Sequence, residues 1–209
     1  MLRILIADDH TVVRKGLKQI LLEEFPAACI EEVPDAEEMI SKVMNDRWDV
    51  VVSDMSMPGR SGLDALQQVK QIRPELPVLI LSIHPEEHYA LRVLKAGASG
   101  HLSKGSASDE LVKAVQTVLL GKKYISATVA EKLASSIASD SHKQAHELLS
   151  DREFDVMKLL AAGKSVSDIA DMLSLSVTTI STYRARIMAK MNLRTNSDLT
   201  KYAIESKLI

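Results

Sequence analysis

The chain has 209 residues, 46% of them hydrophobic and 26% charged, with a formal net charge of -2 and a single cysteine. That length gives one or two domains with enough chain for real cores, and the lone cysteine excludes an internal disulfide framework and a Cys-rich metal site. No run approaches the roughly 18 uninterrupted apolar residues of a membrane span, and Asp8 breaks the apolar opening far short of a signal-peptide core, so the chain reads as soluble, cytoplasmic and without a membrane partner.

Taken in order, the apolar run 2–7 predicts a short strand that ends in Asp8 and Asp9. Val12, Val13, Gly16, Leu17, Ile20 and Leu21 then recur at helical spacing, and Pro26 closes the unit. Residues 28–33 read as a weaker strand, and Asp35 with Glu38 gives a capping-box-like start to a helix through about Asn45. Val50, Val51 and Val52 read as a strand buried on both faces, which stops at Asp54 before a loop with Pro58, Gly59 and Gly62. A third helix opens at Ser61 and ends at Pro74, and residues 77–82 form a fourth strand. Pro85 suits the first turn of the next helix, which Gly97 ends. A brief strand over 99–103 runs into Lys104, and a fifth helix over 111–120 is ended by Gly121. Five alternating βα units predict a doubly wound α/β domain around a five-stranded parallel sheet. Right-handed crossovers place all its strand ends on one edge.

Ligands of open α/β sheets bind outside the carboxyl ends of the strands, so that edge is the candidate site. Asp54 alone could equally be the N-cap of the next element. Its company points elsewhere: Asp8, Asp9, Ser82 and Lys104 also follow strand-like runs. Clustered carboxylates repel one another unless a cation neutralises them, and a hard divalent ion, Mg²⁺ above all, suits such oxygen ligands. The set makes sense as a carboxylate nucleophile accepting a phosphoryl group, with metal and lysine stabilising the transferring charge. His84 and His88 read as surface residues near the fourth helix.

With Ile6-Ala7-Asp8-Asp9-His10, Ser53-Asp54-Met55-Ser56-Met57-Pro58-Gly59, Leu81-Ser82, Ala96-Gly97-Ala98-Ser99-Gly100 and Leu102-Ser103-Lys104 in order, the first 125 or so residues resemble the receiver domain of bacterial two-component response regulators. The resemblance implies Asp54 as phosphoacceptor from a partner histidine kinase and Asp9 and Asp54 as direct Mg²⁺ ligands. It implies Asp8 acting through water and the Ser56 backbone carbonyl completing the set. Ser82 and Lys104 would be the switch hydroxyl and the phosphate-binding lysine. The chain departs from the family pattern at His101, which stands at the switch position usually held by an aromatic residue, and at Ser56, where asparagine or a similar residue is often found.

Beyond residue 126, Ala130, Leu133, Ala134 and Ile137 give helical spacing for a short linker helix over 127–138, and residues 139–144 read as a flexible tether. His142 and His146 read as linker residues. Ser150 with Glu153, Ser165 with Asp168, and Thr195 with Asp198 mark helix starts. A further helix over 177–191 follows a tight turn at Ser174-Leu175-Ser176. No Asp or Glu lies between Asp171 and Asp198, whereas Arg184, Arg186, Lys190 and Arg194 do. Helix, short turn and acid-free helix outline a helix-turn-helix. On the helix over 177–191 Ile180, Ile187 and Met191 mark the core side with Tyr183 at its edge. Thr178, Thr182, Ala185 and Ala189, flanked by Ser181 and Arg186, form the opposite face that can meet base edges in a major groove. Arg186, Lys190 and Arg194 are placed for phosphates. Arg184 falls nearer the core side, to pair with an acid of a neighbouring helix or reach the backbone sideways.

Leu149-Ser150-Asp151-Arg152-Glu153, Leu160-Ala161-Ala162-Gly163-Lys164-Ser165, Asp168-Ile169-Ala170, Leu173-Ser174-Leu175-Ser176 and Thr179-Ile180-Ser181-Thr182-Tyr183 resemble the LuxR-type helix-turn-helix of the NarL/FixJ class. The resemblance implies double-stranded operator DNA as partner and adds Thr179 and Tyr183 to the DNA-facing set. It also implies pairing of two output domains through the last helix, by Leu199, Tyr202 and Ala203. The expected organisation is a receiver over 1–125, a partly helical linker over 126–147 and a four-helix DNA-binding domain over 148–209. The expected function is a regulator that dimerises when phosphorylated and turns over no substrate. A constitutive DNA-binding protein with a structural receiver, and an aspartyl-phosphate phosphatase, are the competing readings. The phosphatase reading lacks a second aspartate two residues after Asp54.

Overall fold

In the computed structural model, which describes residues 1–57, 62–82, 86–127, 129–131, 144–206 and 208–209, five short strands alternate with five helices. These are β1 (Arg3–Ala7), α1 (Thr11–Glu24), β2 (Cys29–Val33), α2 (Ala36–Asn45), β3 (Val50–Asp54), α3 (Gly62–Ile72), β4 (Val78–Ser82), α4 (Glu86–Lys95), β5 (Gly100–Ser103) and α5 (Ala107–Leu119). Every strand pair is parallel and the order is β2-β1-β3-β4-β5, the doubly wound sheet expected from the alternation. This unit spans Met1–Ser139, and a second compact unit spans Asp140–Ile209.

Side-chain alternation sorts the sheet into two apolar faces. Ile4, Ile6, Val50, Val52, Leu79, Leu81 and Leu102 join one cluster with Leu17 and Leu21 of α1 and Leu111, Ala114, Val115 and Val118 of α5. The alternate residues Leu5, Val51, Ser53, Ile80, Ser82 and His101 are buried on the other face. Burial on both sides is why β3 and β4 read as continuous apolar runs. The outer strand β2 carries charge instead: Glu31 pairs with Lys42 and Arg3, and Glu32 with Lys18 and Arg14. Such charges keep an edge strand from pairing with another chain.

Helix α1 corrects the sequence reading. Leu17 and Leu21 are buried and Val13 and Ile20 half-buried, but Val12 is 83% exposed and Gly16 is open to solvent. Asp35 does cap α2, accepting from the Glu38 backbone N–H at 2.8 Å.

The second unit opens with a 3₁₀ turn, Ala145–Leu148, followed by α6 (Asp151–Ala161), α7 (Val166–Leu173), α8 (Val177–Met191) and α9 (Asn196–Glu205). Capping boxes start three of these helices, Ser150 with Glu153, Ser165 with Asp168 and Thr195 with Asp198. Ser176 caps α8 by accepting from the Thr179 backbone N–H. Each cap satisfies backbone donors that the first helical turn leaves open. The α7–α8 turn is tight because Ser174 adopts a left-handed conformation (φ 53°) and returns its N–H to α7. Phe154, Met157, Leu160, Ile169, Ile180, Ile187, Leu199 and Ala203 close the core between these helices. Most of the linker helix expected over 127–138, most of the tether, and Pro58, Gly59, His84, Pro85 and His142 lie outside the described residues, as does the side chain of His88.

Candidate functional site

The carboxyl ends of β1, β3 and β5 converge on one acidic pocket. Asp54, the last residue of β3, is 2% exposed, and Asp8, just beyond β1, is fully buried. Lys104, after β5, bridges them, with Nζ 2.7 Å from Asp8 Oδ2 and 2.9 Å from Asp54 Oδ2. Its backbone N–H donates to the Ser82 carbonyl at 2.8 Å, which extends the β4–β5 ladder by one bond and aims the lysine at the pocket. Asp8, Asp9 and Asp54, together with His10, bring ligand atoms within 4.8 Å of one another. Three carboxylates in a shared space fit a hard divalent cation such as Mg²⁺.

Burial pushes the Asp54 carboxyl above its ordinary range; bonds from Lys104 and the Ser56 backbone pull against that without offsetting it. Burial also works against the Lys104 ammonium, but its bonds to Asp8 and Asp54 outweigh the penalty and hold it above the ordinary lysine value. The pocket is a buried carboxylate held beside a fixed cation, the arrangement a nucleophile for an anionic phosphoryl group needs.

Ser82 and His101 are buried and lie on the other side of the sheet from the α1/α5 cluster. Parallel register sets Ile80 opposite His101 and Ser82 opposite Ser103, so Ser82 and His101 share a face. Asp54 shares the alternation of Val50 and Val52 toward α1 and α5. The expected switch pair therefore begins at the pocket and leads to the opposite helical layer.

Two residues of the pocket were given no role in the sequence reading. Arg14, on the first turn of α1, donates to the Asp8 backbone carbonyl and lies 3.7 Å from Glu32 of β2. His10 places Nδ1 2.7 Å from Asp9 Oδ1 and 3.2 Å from Asp8 Oδ1. Adjacency to the acid pair was the only signal in the sequence for His10. For Arg14 the signal was its position one helical turn after that residue.

In the second unit α8 sorts as its periodicity predicts. Ile180, Ile187 and Met191 are buried; Thr178, Ser181, Thr182, Ala185, Arg186 and Ala189 are exposed; Thr179 and Tyr183 are half-buried at the border. Arg194, just past the helix, is exposed.

One expectation for this unit needs correction, and two of its basic residues meet partners that helical spacing does not announce. Lys190 carries an ion pair: its Nζ lies 2.6 Å from Oε2 of the buried Glu153 on α6, while its side chain stays 41% exposed. Arg184 donates through Nε to the Asn196 side-chain carbonyl at 3.0 Å, and among the described residues no acid is paired with it. Leu199 and Ala203 are fully buried in their own core, so they offer no surface to a second copy, and the Tyr202 hydroxyl meets His146 Nδ1 at 2.8 Å. The open face of α9 carries Lys201 and Ile204 instead. In each case a partner distant in the chain decided the outcome, which helical spacing does not reveal.

Comparison with known proteins agrees with both units. Residues 4–116 match the response regulator receiver domain, and residues 147–203 match the luxR family of bacterial regulatory proteins. Response regulator UvrY of Escherichia coli K12 is 34% identical over 209 residues, covering 100% of this chain and 96% of that protein. Oxygen regulatory protein NreC of Staphylococcus epidermidis is 35% identical over 216 residues, covering 100% of this chain and 99% of NreC. Among solved structures, RcsB of Salmonella enterica serovar Typhimurium bound to promoter rprA with the phosphomimetic BeF₃⁻ matches with a TM-score of 0.66 at 25% identity, over 97% of this chain and 98% of that one. With a receiver domain matched over more than half its length, a luxR-family domain behind it and end-to-end relatives among the response regulators, the chain belongs to the two-component response regulators of the NarL/FixJ class.

Proposed function

We propose that this response regulator is switched by phosphorylation of Asp54 and that the switched form dimerises and binds operator DNA through α8. The observation that carries the reading is the buried Asp54 carboxylate held 2.9 Å from Lys104 among further acids. In the transfer, an Asp54 oxygen attacks the phosphorus of a kinase phosphohistidine. The P–N bond breaks, and the imidazole leaves with its electron pair and takes up a proton. Asp9, Asp54 and the Ser56 backbone would hold Mg²⁺, with Asp8 acting through water. When bound, that ion screens the acids and neutralises charge on the phosphoryl oxygens.

Lys104 passes from its two carboxylates to a phosphoryl oxygen, and the Ser82 hydroxyl donates to another. Because Ser82 and His101 share the face opposite the α1/α5 cluster, movement of Ser82 frees or draws in the His101 ring. The local change is thereby carried across the sheet. We assign residues 1–125 to the receiver, 126–147 to the linker and 148–209 to the output domain, and place the protein in the cytoplasm. In the output domain Thr178, Thr179, Ser181, Thr182, Tyr183 and Ala185 face bases, while Arg186 and Arg194 meet phosphates. The structure of RcsB bound to promoter DNA in the presence of the phosphomimetic BeF₃⁻ supports a link between the phosphorylated receiver and DNA binding. Incubation with Mg²⁺ and phosphoramidate, read by intact mass, tests the first step: wild type gains one phosphoryl group and Asp54→Ala gains none. Equal labelling of both would refute Asp54 as the acceptor.

A further inference from the structure

Arg14 ties the acid pair to α1. Its side chain is only 12% exposed, and its guanidinium forks: Nη1 donates to the Asp8 backbone carbonyl and Nη2 to Thr11 Oγ1 at 3.2 Å. Nε lies 3.7 Å from one oxygen of Glu32 on β2, whose other oxygen is 3.0 Å from Lys18. The charge is thus matched by Glu32, while two N–H groups are spent on the stretch that carries and follows the acids.

The carbonyl it holds belongs to the peptide that joins Asp8 to Asp9. That unit is planar and contains both Cα atoms, so a bond to its oxygen sets the plane from which both carboxylates leave the chain. Asp8 is held at other points too: its N–H donates to the Val33 carbonyl at 3.2 Å, and its carboxylate accepts from the His10 backbone N–H at 2.8 Å and meets Lys104 at 2.7 Å. Asp9 makes no backbone hydrogen bond of its own among the described residues, and its carboxylate meets the exposed ring of its neighbour His10. The direction of Asp9 therefore depends on the peptide before it.

We propose that Arg14 is a positioning residue for the divalent cation of the acid pocket, orienting the Asp8–Asp9 peptide so that Asp9 reaches the ion. This rests on the reading that Asp8, Asp9 and Asp54 hold such a cation. Charge alone argues the other way: a guanidinium near a cation site repels the ion, so its removal would tighten binding. Orientation gives the opposite sign, because losing a bond that fixes a metal ligand weakens metal affinity roughly ten- to a hundredfold.

Mg²⁺ binding to the full-length chain, measured by titration calorimetry below the melting temperature of each variant, reads that sign. Arg14→Ala is expected to bind Mg²⁺ roughly tenfold more weakly than wild type. Arg14→Lys keeps a charge facing Glu32 and a donor for the Asp8 carbonyl but loses the planar fork, and is expected to lose less than about threefold. Glu32→Gln leaves the bond to the carbonyl in place and is expected to change affinity by less than about twofold. Equal or tighter binding by Arg14→Ala overturns the role of Arg14 and leaves the carboxylate site standing. Arg14→Lys as weak as Arg14→Ala, or Glu32→Gln as weak, takes the carbonyl bond out of the account and overturns the proposal as well. Failure of wild type to bind Mg²⁺ overturns the underlying metal reading instead.

Discussion

One oxygen of Glu153 joins two helices: Oε2 accepts from the Ser150 backbone N–H at 2.7 Å, capping α6, and lies 2.6 Å from Lys190 Nζ on α8. The carboxylate that starts the first helix of the output domain thus also anchors the far end of the helix assigned to DNA. Lys190 is 41% exposed while Glu153 is buried, so the two halves of this pair do not contribute alike.

Lys190→Met is expected to destabilise the output domain by about 1–2 kcal/mol. That is less than a fully buried pair loses, because solvent screens the ammonium. Burial opposes the Glu153 charge, but the Lys190 and Ser150 bonds outweigh it and hold its pKa below the ordinary 4.5. A folded pKa below the unfolded one adds stability that is complete above 4.5 and is lost as pH falls through the lower folded value. Calorimetric unfolding between pH 3 and 7 is expected to show this acid loss in wild type and a smaller one in Glu153→Gln. Matching pH profiles would remove the pair from the account.

Lys104 is the cation that Asp8 and Asp54 share. Lys104→Ala leaves two buried carboxylates without it, at a cost of roughly 1–3 kcal/mol in metal-free buffer. Added Mg²⁺ is expected to raise the melting temperature of Lys104→Ala more than that of wild type, because the ion then supplies the missing charge. An equal rise in both proteins would show that lysine and metal do not share the pocket.

Gly62 opens α3 with its Cα packed on the end of β3. A Cβ there would lie 2.4 Å from the Asp54 carbonyl oxygen and 2.7 Å from Met55 Cα, and the Gly62 N–H donates to the Met55 carbonyl at 2.8 Å. Gly62→Ala has only backbone to push against, so a loss of about 3 kcal/mol is expected in urea unfolding followed by Trp48 fluorescence. A change below about 1 kcal/mol would mean that this turn yields easily.

If α8 meets DNA as proposed, its exposed face separates affinity from choice. Arg186→Ala and Arg194→Ala are each expected to weaken all DNA sites about equally and to lower the salt slope by about one unit. Thr182→Val and Ser181→Ala are expected to change the sequence recovered by in vitro selection. Arg184→Ala, whose guanidinium is held by Asn196, should do neither. An unchanged selected sequence in both threonine and serine variants would move base reading off this face.

What was legible in the sequence was local. Capping boxes at Ser150, Ser165 and Thr195 announce helices within four residues, and the valines of β3 announce a strand buried on both sides. The acids and the lysine of the pocket were legible because each directly follows an apolar run. Pairings between distant residues were not: Glu153 with Lys190 spans 37 positions and His146 with Tyr202 spans 56. The last helix shows the cost. Leu199 and Ala203 have the spacing of an apolar face, but spacing does not say whether that face meets its own core or another copy. Val12 fails for an angular reason: with Gly16 one turn on, it lies about 140° round α1 from Leu17, outside the buried stripe.

The central claim is that charge placed on Asp54 controls assembly. Sedimentation of wild type and Asp54→Ala, each with Mg²⁺ and with or without phosphoramidate, addresses it most directly. Wild type alone is expected to move from monomer toward dimer, in proportion to the phosphoryl adduct measured on the same samples. A phosphorylated wild type that sediments like the unmodified protein would contradict it.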